Sequence, residues 1–355
     1  MNKYSRLLIV AIFGLTACGN KQRASESGIT TDAKTEIGKV SGALKQFEDP
    51  SQKFKVSADK ESRVNGKQGT IISINPADLV TENGQPLGKN IDVELKELTN
   101  LEQLLRASAQ TTSNGQLLVS GGAYYINLTS DGQQLKLKDG KMLAVEFPKL
   151  SNNEMSLFYG QRDSVGQMNW QPAEQKFESK AKQQNTSAKA DTSAGELSAI
   201  INYIESESKR PLTPEEKKQI EERKKNTSVT EKVYKAIRLS KFGWINCDEF
   251  YDITNKTDLL FTFNSNDSII SATIYLVFKD INSLMQSSYF AFRGKEFNSG
   301  FQEIPLGAKT QLIAFSIKNG KTYTYKSDLT IKANETIQIA LKETGQDQID
   351  KLFSN

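Results

Sequence analysis

The sequence predicts a mainly β protein with two β-sandwich domains, and three observations support this fold class. Short alternating runs of apolar and polar residues, separated by Gly, Asn, Asp and Pro, fill residues 54–172 and return at 233–341. Between them, residues 176–195 are rich in Lys, Gln, Ser, Thr and Ala, which is typical of a linker. After the N-terminal segment, no run reaches the roughly 18 apolar residues that a membrane-spanning helix needs.

The composition excludes several kinds of catalysis. The chain has 355 residues, two cysteines and no histidine. It therefore has no Ser-His-Asp or Cys-His nucleophile system and no His-ligated zinc. We expect a protein that is not an enzyme and that uses no cofactor or bound metal.

The N-terminus has the pattern of an export signal. Lys3 and Arg6 precede an apolar run at 7–14, which is too short to span a bilayer as a helix. Leu15-Thr16-Ala17-Cys18 follows and resembles a bacterial lipobox. This resemblance implies that residues 1–17 are a cleaved lipoprotein signal peptide and that Cys18 carries the lipid that anchors the protein to a membrane.

Charge and cysteine usage limit the partners of the mature chain. The formal charge of +4 falls to +2 once Lys3 and Arg6 are removed, and an excess of four positive charges lies within 205–241. No basic face for nucleic acid is therefore expected. With Cys18 lipidated, Cys247 has no partner for an intrachain disulfide. The non-acidic stretch at 19–23 favours an outer-membrane lipoprotein that faces the periplasm.

The first half of the mature chain is predicted to be a tether and then a sandwich. Residues 18–52 indicate a flexible tether with one short helix, because Ile37, Val40, Leu44 and Phe47 have helical spacing. Residues 53–175 indicate the first sandwich, in which Asn83-Gly84 is expected to form a tight hairpin turn. The stretches 67–72, 92–97, 111–115, 120–125 and 157–159 resemble the ZU-five-type β-sandwich of ankyrins and netrin receptors, which also occurs in Bacteroidota lipoproteins. That resemblance implies a scaffold module without catalytic residues.

The second half is predicted to be a charged linker and another sandwich. Residues 176–230 contain the expected helices, one of which begins at Thr213-Pro214. Residues 231–355 contain seven short strand patterns and a closing helix at 346–353, and they indicate a second sandwich of prealbumin or immunoglobulin-like type. The stretch 301–307, followed by an apolar run, is similar to prealbumin-like, carboxypeptidase-regulatory-type modules.

Residues 242–252 form the densest cluster of chemically capable side chains. Their Gly-Trp-Ile-Asn-Cys-Asp run is similar to a segment of Bacteroidota lipoproteins. Cys247 could be a nucleophile, but the acids beside it favour an inert thiol. The carboxylates at 248, 249 and 252 could bind calcium, although no EF-hand loop is present. The aromatic residues could form a platform for a sugar ring or belong to the core. The candidate ligand-binding residues are Trp244, Asp248 and Tyr251.

We therefore expect a lipid-anchored protein of the cell envelope that acts as a non-enzymatic interaction or structural module. The alternative is a lipoprotein that binds an envelope glycan, peptide or protein partner through residues 242–252 or a sandwich edge. A hydrolase that uses paired carboxylates is a third hypothesis. No pair of acidic residues stands out in the sequence to support it.

Overall fold

The computed structural model describes residues 31–151, 153–174, 213, 214, 217, 237–263, 269–292, 295–297 and 300–353. The protein is mainly β, with 55% strand and 13% helix, which confirms the predicted fold class. The signal peptide, Cys18 and all but three residues of the 176–230 linker lie outside the described residues.

Three helices and 22 strands are described. The helices are α1 (Thr31–Leu44), α2 (Leu101–Arg106) and α3 (Gln346–Phe353), with single 3-10 turns at Lys45–Phe47 and Pro76–Asp78. Asn100 caps α2, because its side chain accepts a hydrogen bond from the Gln103 amide. The strands are β1 (Gln52–Ser57), β2 (Ser62–Asn65), β3 (Ile71–Ile74), β4 (Leu79–Thr81), β5 (Asn90–Leu98), β6 (Thr112–Ser113), β7 (Gln116–Ser130), β8 (Gln133–Leu137), β9 (Leu143–Glu146), β10 (Ser156–Arg162), β11 (Met168–Pro172), β12 (Ile237–Leu239), β13 (Gly243–Phe250), β14 (Lys256–Phe263), β15 (Ile269–Phe278), β16 (Ser283–Phe292), β17 (Lys295–Phe297), β18 (Gly300–Pro305), β19 (Lys309–Lys318), β20 (Lys321–Thr330), β21 (Glu335–Ile339) and β22 (Lys342–Glu343).

The first sandwich consists of a large and a small antiparallel sheet. The large sheet has the order β1-β5-β7-β13-β10-β11, with β6 and β8 also paired to β7 and β4 paired to β8. The small sheet has the order β12-β9-β3-β2. Alternate residues of β5, namely Ile91, Val93 and Leu95, are buried in one core with Ile72 and Val145 of the small sheet. The period-2 pattern of the sequence therefore reflects the face of each sheet that points into this core.

Two strands that lie within the region assigned to the second sandwich pair instead with the first. β12 pairs with β9, and β13 lies between β7 and β10. The boundary expected at residue 231 therefore differs from the structure, in which residues 237–250 complete the first sandwich. Sequence proximity favoured the second sandwich, whereas the partners of these strands lie far upstream in the chain.

The second sandwich also has two sheets of unequal size. The large sheet has the order β17-β16-β15-β19-β20-β22, and the small sheet has the order β18-β14-β21, in which β14 and β21 are parallel. Leu259 and Phe261 of β14 lie in one core with Ile274, Leu276 and Leu312 of the large sheet. Most of the predicted strands of this region are present, and α3 occupies the residues predicted for the closing helix.

A third core joins the two sandwiches. It includes Val40 and Leu44 of α1, Trp170 of the first sandwich, Phe315 of the second and Phe353 of α3. The helix expected within the 18–52 tether is therefore present, but it is packed against the body of the protein. The packed part of the chain begins inside the segment that was assigned to the tether, because the apolar side of α1 covers the junction between the sandwiches.

Two glycines, one in a turn and one in a strand, show what short-range signals predict and miss. Gly84 has a φ of +74°, and its amide donates a hydrogen bond to the Thr81 carbonyl, so the predicted turn is present. The strands beside it do not pair with each other, because β4 pairs with β8. Gly121 does not interrupt a strand but lies inside β7. A Cβ atom at this position would lie 2.7 Å from the Cys247 carbonyl oxygen, so the close approach of β13 requires glycine.

Candidate functional site

The Gly-Trp-Ile-Asn-Cys-Asp segment forms most of β13, a central strand of the large sheet of the first sandwich. Ile245 and Cys247 point into the sandwich core, as expected for alternate residues of one strand. Trp244 packs instead against the third core. The register with β7 shifts between Asn246 and Asp248, where the strand has an irregularity. The unusual composition of this segment therefore reflects a strand that is buried on both faces.

Cys247 is a buried thiol. Its side chain is 0% exposed and forms no disulfide. Burial raises the pKa of Cys247 well above its ordinary value, and the nearby Asp248 raises it further. Because the thiolate is the nucleophilic form, this environment opposes covalent chemistry at Cys247.

Asp248 is also fully buried and lies in a closed polar cluster. The Asn246 side-chain amide donates a hydrogen bond of 2.5 Å to Oδ2, while Oδ1 is a buried atom without a hydrogen bond of ordinary geometry. Burial raises the pKa of Asp248 well above its ordinary value, and Ser120, Asn246 and the Gly121 main chain only partly oppose this shift. The surroundings therefore favour a neutral carboxylic acid.

Among the described residues near β13, the carboxylates are not grouped in a way that would bind a cation. Glu249 bonds to the Asn153 side chain. No group of three or more Cys, Asp or Glu side chains in the described part of the chain is arranged to hold a metal ion. A neutral Asp248 would also be a poor calcium ligand, because hard cations favour charged oxygens.

Trp244 is partly exposed and lies between two other side chains. Its ring centroid is 5.2 Å from that of Tyr125 on β7, the residue directly opposite in the register. The Arg162 guanidinium lies over the Trp244 ring, with its Cζ 5.2 Å from the ring centroid. This distance is within the range of a cation–π interaction. Tyr125 and Arg162 therefore cover part of the surface that a sugar ring would use.

The three predicted ligand-binding residues do not form one site. Trp244 and Asp248 are four residues apart on one strand, which corresponds to roughly 13 Å. Tyr251 lies beyond the end of β13, where its side chain packs against the core of the second sandwich. Its amide donates a hydrogen bond of 3.0 Å to the Leu117 carbonyl. The structure thus separates an aromatic stack, a buried acid and a packing residue.

A cavity of about 370 Å³ is lined in part by Arg162, the residue that covers the Trp244 ring. We name it the inter-sandwich pocket. It is lined by residues of the α1 segment between 38 and 48, the end of α2 at 106–108, the β10–β11 turn at 162–166 and Gln286 of β16. Its volume falls within the range of small-molecule sites in proteins.

Arg162 is the central charged group of this pocket. Its Nη1 donates hydrogen bonds to the carbonyl oxygens of Ser108 and Gly166 at 2.9 and 2.8 Å, and its Nη2 donates to that of Ala107 at 2.6 Å. Burial lowers the pKa of Arg162, and Glu48, Tyr275 and Asp163 partly oppose the shift. Arginine remains charged in proteins, so the pocket has a permanent cation. Among the described residues, no carboxylate forms an ion pair with it.

A second cavity of similar volume lies beside the small sheet of the first sandwich. Two of its charged residues, Arg63 and Asp78, already form ion pairs with Glu146 and Lys141. Within the described part of the chain, none of its lining side chains has a buried polar atom without a partner. The inter-sandwich pocket differs in this respect, because Gln286 Oε1 is such an atom.

Sequence reasoning missed the inter-sandwich pocket because its walls come from four distant segments. The only local signal is the row Gly38, Ser41 and Gly42, which places small residues at helical spacing on one side of α1. Nothing within residues 160–167 shows that Arg162 will be partly buried beside this row.

Comparison with known proteins adds no identification. No protein-family model matches this chain, and no curated protein matches it either. Of the helices in the described residues, none has the length and apolar character needed to cross a membrane.

Proposed function

We propose that this protein is a lipid-anchored, non-enzymatic interaction or structural module of the bacterial cell envelope. Acyl chains on Cys18 would hold it in the outer membrane, facing the periplasm. Two or more acyl chains form a stable anchor, because each buried methylene contributes about 0.8 kcal/mol. The proposed lipidation comes from the lipobox resemblance at residues 15–18.

The docking of α1 is the observation that carries the proposal. Val40, Leu44 and Phe47 belong to the core shared by both sandwiches, so the segment nearest the proposed anchor is part of the folded body. Twelve residues lie between Cys18 and Thr31, the first residue of α1. Their extended length is at most roughly 45 Å. The anchor would therefore hold both sandwiches close to the membrane as one body, as suits a scaffold or interaction module.

The environments on β13 support a non-enzymatic role. Cys247 is shielded from solvent and has a raised pKa, and Asp248 is shielded in the same way. Cys247 and Asp248, the two groups on β13 best suited to nucleophilic or acid–base chemistry, are thus buried in the protein interior. The resemblance of residues 53–175 to ZU-five-type sandwiches supports the same role, because that fold serves as a scaffold.

The test is to replace each cysteine in turn in cells fed a labelled fatty acid. We expect Cys18→Ser to abolish labelling and release the protein into the soluble fraction. Cys247→Ala is the matched control and should retain both the label and membrane attachment, because Cys247 is buried. Membrane attachment of the Cys18→Ser protein would contradict the proposed anchor.

The proposed orientation is tested by adding protease to intact cells. A protein that faces the periplasm should survive this treatment and be degraded only after the outer membrane is permeabilised. Degradation in intact cells would place the protein on the cell surface and contradict this part of the proposal.

Glycan or peptide binding is the alternative function. It requires a concave site with polar groups that can orient a ligand. The inter-sandwich pocket fits this requirement better than the separated residues Trp244, Asp248 and Tyr251.

A further inference from the structure

The guanidinium of Arg162 has hydrogen-bonding capacity that the protein does not use. An arginine side chain has five N–H donors. Three hydrogen bonds reach the carbonyl oxygens of residues 107, 108 and 166. Among the described residues, no acceptor takes a hydrogen bond from Nε or from the second Nη2 hydrogen. Arg162 can therefore bind another acceptor without losing its existing contacts.

Gln286 contributes an unused acceptor to the same pocket. The residue is 5% exposed, and its Oε1 is buried without a hydrogen-bond partner. Its backbone is held on both sides, because its amide donates to Gln110 Oε1 and its carbonyl accepts from Gln167 Nε2. A buried acceptor without a partner costs free energy of about 1–3 kcal/mol. Because Oε1 is covered in the free protein, a ligand with a donor beside its anionic group would remove this cost once the Gln286 side chain turns toward the pocket.

The acidic residues of the pocket are already engaged. Glu48 forms an ion pair of 2.6 Å with Lys96. Asp163 Oδ1 accepts hydrogen bonds from the amides of Val165 and Gln167. These acids therefore do not neutralise Arg162 by direct pairing.

The basic residues of the pocket leave a positive excess. Arg106 pairs with Glu102 and Asp350. Within the described residues, Lys45 forms no ion pair. The lining side chains are thus three basic (Lys45, Arg106 and Arg162) and two acidic (Glu48 and Asp163), and this formal excess of one positive charge favours an anion.

Small residues on α1 provide the space for a ligand. A Cβ atom built on Gly38 or Gly42 would meet no atom within 4 Å, so both positions face open space. Ser41 lies between them and is held by a hydrogen bond from its hydroxyl to the Val165 carbonyl at 2.9 Å. This side of α1 lines the cavity without filling it.

We propose that the inter-sandwich pocket binds a small organic carboxylate that carries a hydroxyl or amide donor next to the acid group. The carboxylate accepts hydrogen bonds from the free donors of Arg162, and the neighbouring donor bonds to Gln286 Oε1. Charge-assisted pairs between arginine and carboxylate are among the strongest hydrogen bonds in proteins. A sugar acid and a peptide C-terminus both have this chemistry.

The test is calorimetric titration of the full mature lipoprotein in detergent. The probes are glucuronate, acetyl-dialanine and inorganic phosphate, with glucose and acetyl-dialanine amide as neutral counterparts. We expect saturable binding of at least one carboxylate at millimolar or lower concentration, and at least about tenfold weaker binding of its neutral counterpart. Whichever carboxylate binds more tightly identifies the ligand as a sugar acid or a peptide terminus.

The pocket is tested with a variant that fills it and leaves Arg162 in place. Gly42→Leu places a side chain in the open space and favours the helix, so the protein should fold and lose carboxylate affinity by about tenfold or more. Lys39→Leu adds the same side chain to α1 at an exposed position outside the pocket and should bind as the wild type does.

Four results would overturn the proposal. They are equal affinity for charged and neutral probes, binding of phosphate but no carboxylate, no saturable binding of any carboxylate, and unchanged affinity in folded Gly42→Leu. Because the proposal does not depend on the anchor, membrane attachment of the Cys18→Ser protein, which would contradict the anchor, leaves it standing.

Discussion

Two partly or fully buried ionisable groups on the paired strands β10 and β13 are held in different ways. Asp248 is enclosed with Asn246, and burial raises its pKa towards the neutral acid. Arg162 keeps its charge, bonds to three carbonyl oxygens and opens onto a cavity. Neutralisation removes the cost of burying the first group, whereas the second keeps a charge that a ligand could use. The difference identifies Arg162, and not Asp248, as the better candidate for binding.

The largest expected loss of stability comes from a change in α1, the helix that forms one wall of the inter-sandwich pocket. Leu44→Ala removes a side chain that is 5% exposed in the core shared by both sandwiches. We expect the free energy of unfolding to fall by about 3 kcal/mol, since large-to-small changes in a core leave a cavity. Urea denaturation followed by tryptophan fluorescence measures this loss.

The exposed residue Lys39 provides the control on the same helix. Lys39→Ala should change the free energy of unfolding by no more than about 0.5 kcal/mol, because surface substitutions are usually near neutral. Equal behaviour of the two variants would mean that α1 is not packed in solution and that the pocket lacks this wall.

A smaller effect is expected at Arg162 itself. Arg162→Met keeps much of the side-chain volume but leaves the carbonyl oxygens of residues 107, 108 and 166 without their donor. We expect a loss of about 2 kcal/mol in the free energy of unfolding, measured by urea denaturation.

Arg63 is the matched control for this change. Its pair with Glu146 is at the surface, with the arginine side chain 64% exposed. Arg63→Met should therefore cost at most about 1 kcal/mol. If both arginine variants are equally stable, the bonds of Arg162 do not hold the junction and the contrast with Asp248 fails.

Local patterns predicted much of the fold but little of the junction. The alternation in 91–98 places Ile91, Val93 and Leu95 on one face, and the structure confirms that face as core. The spacing of Ile37, Val40 and Leu44 likewise predicted α1. These signals are periodic and involve neighbours in sequence. They do not specify what a face packs against, so α1 was predicted to be part of a tether.

The candidate site depended on long-range pairing that one sequence does not reveal. β13 inserts between β7 and β10, and this insertion explains why Trp244, Cys247 and Asp248 are clustered in sequence without forming a surface site. The expected burial of Cys247 is confirmed, since that argument needed only its local acids and apolar neighbours, and its inertness stays a prediction. Arg162 and Gln286 meet through tertiary packing and carried no local signal.

An effect that depends on pH tests the neutral state assigned to Asp248. A carboxyl group whose pKa is raised on folding binds its proton more tightly in the folded state. Its contribution to stability is complete below the unfolded pKa of about 3.9 and is lost as the pH rises towards the raised folded pKa. Asp248→Asn removes this titration while preserving size and hydrogen bonding. The stability of the wild type relative to this variant should therefore fall by up to about 1.4 kcal/mol per pH unit above pH 4.

Asp328 provides a control of opposite sign for this pH series. Hydrogen bonds from Lys279 and Gln311 lower the pKa of Asp328. Its contribution is therefore present above the unfolded pKa and lost as the pH falls through the lowered folded pKa. The wild type should gain stability relative to Asp328→Asn as the pH rises, and only slightly, because this side chain is 69% exposed. Urea denaturation of the three proteins across the acidic range measures both slopes. If the stability of the wild type relative to Asp248→Asn does not change with pH, Asp248 does not change its proton affinity on folding. Asp248 and Arg162 would then no longer differ in the way proposed.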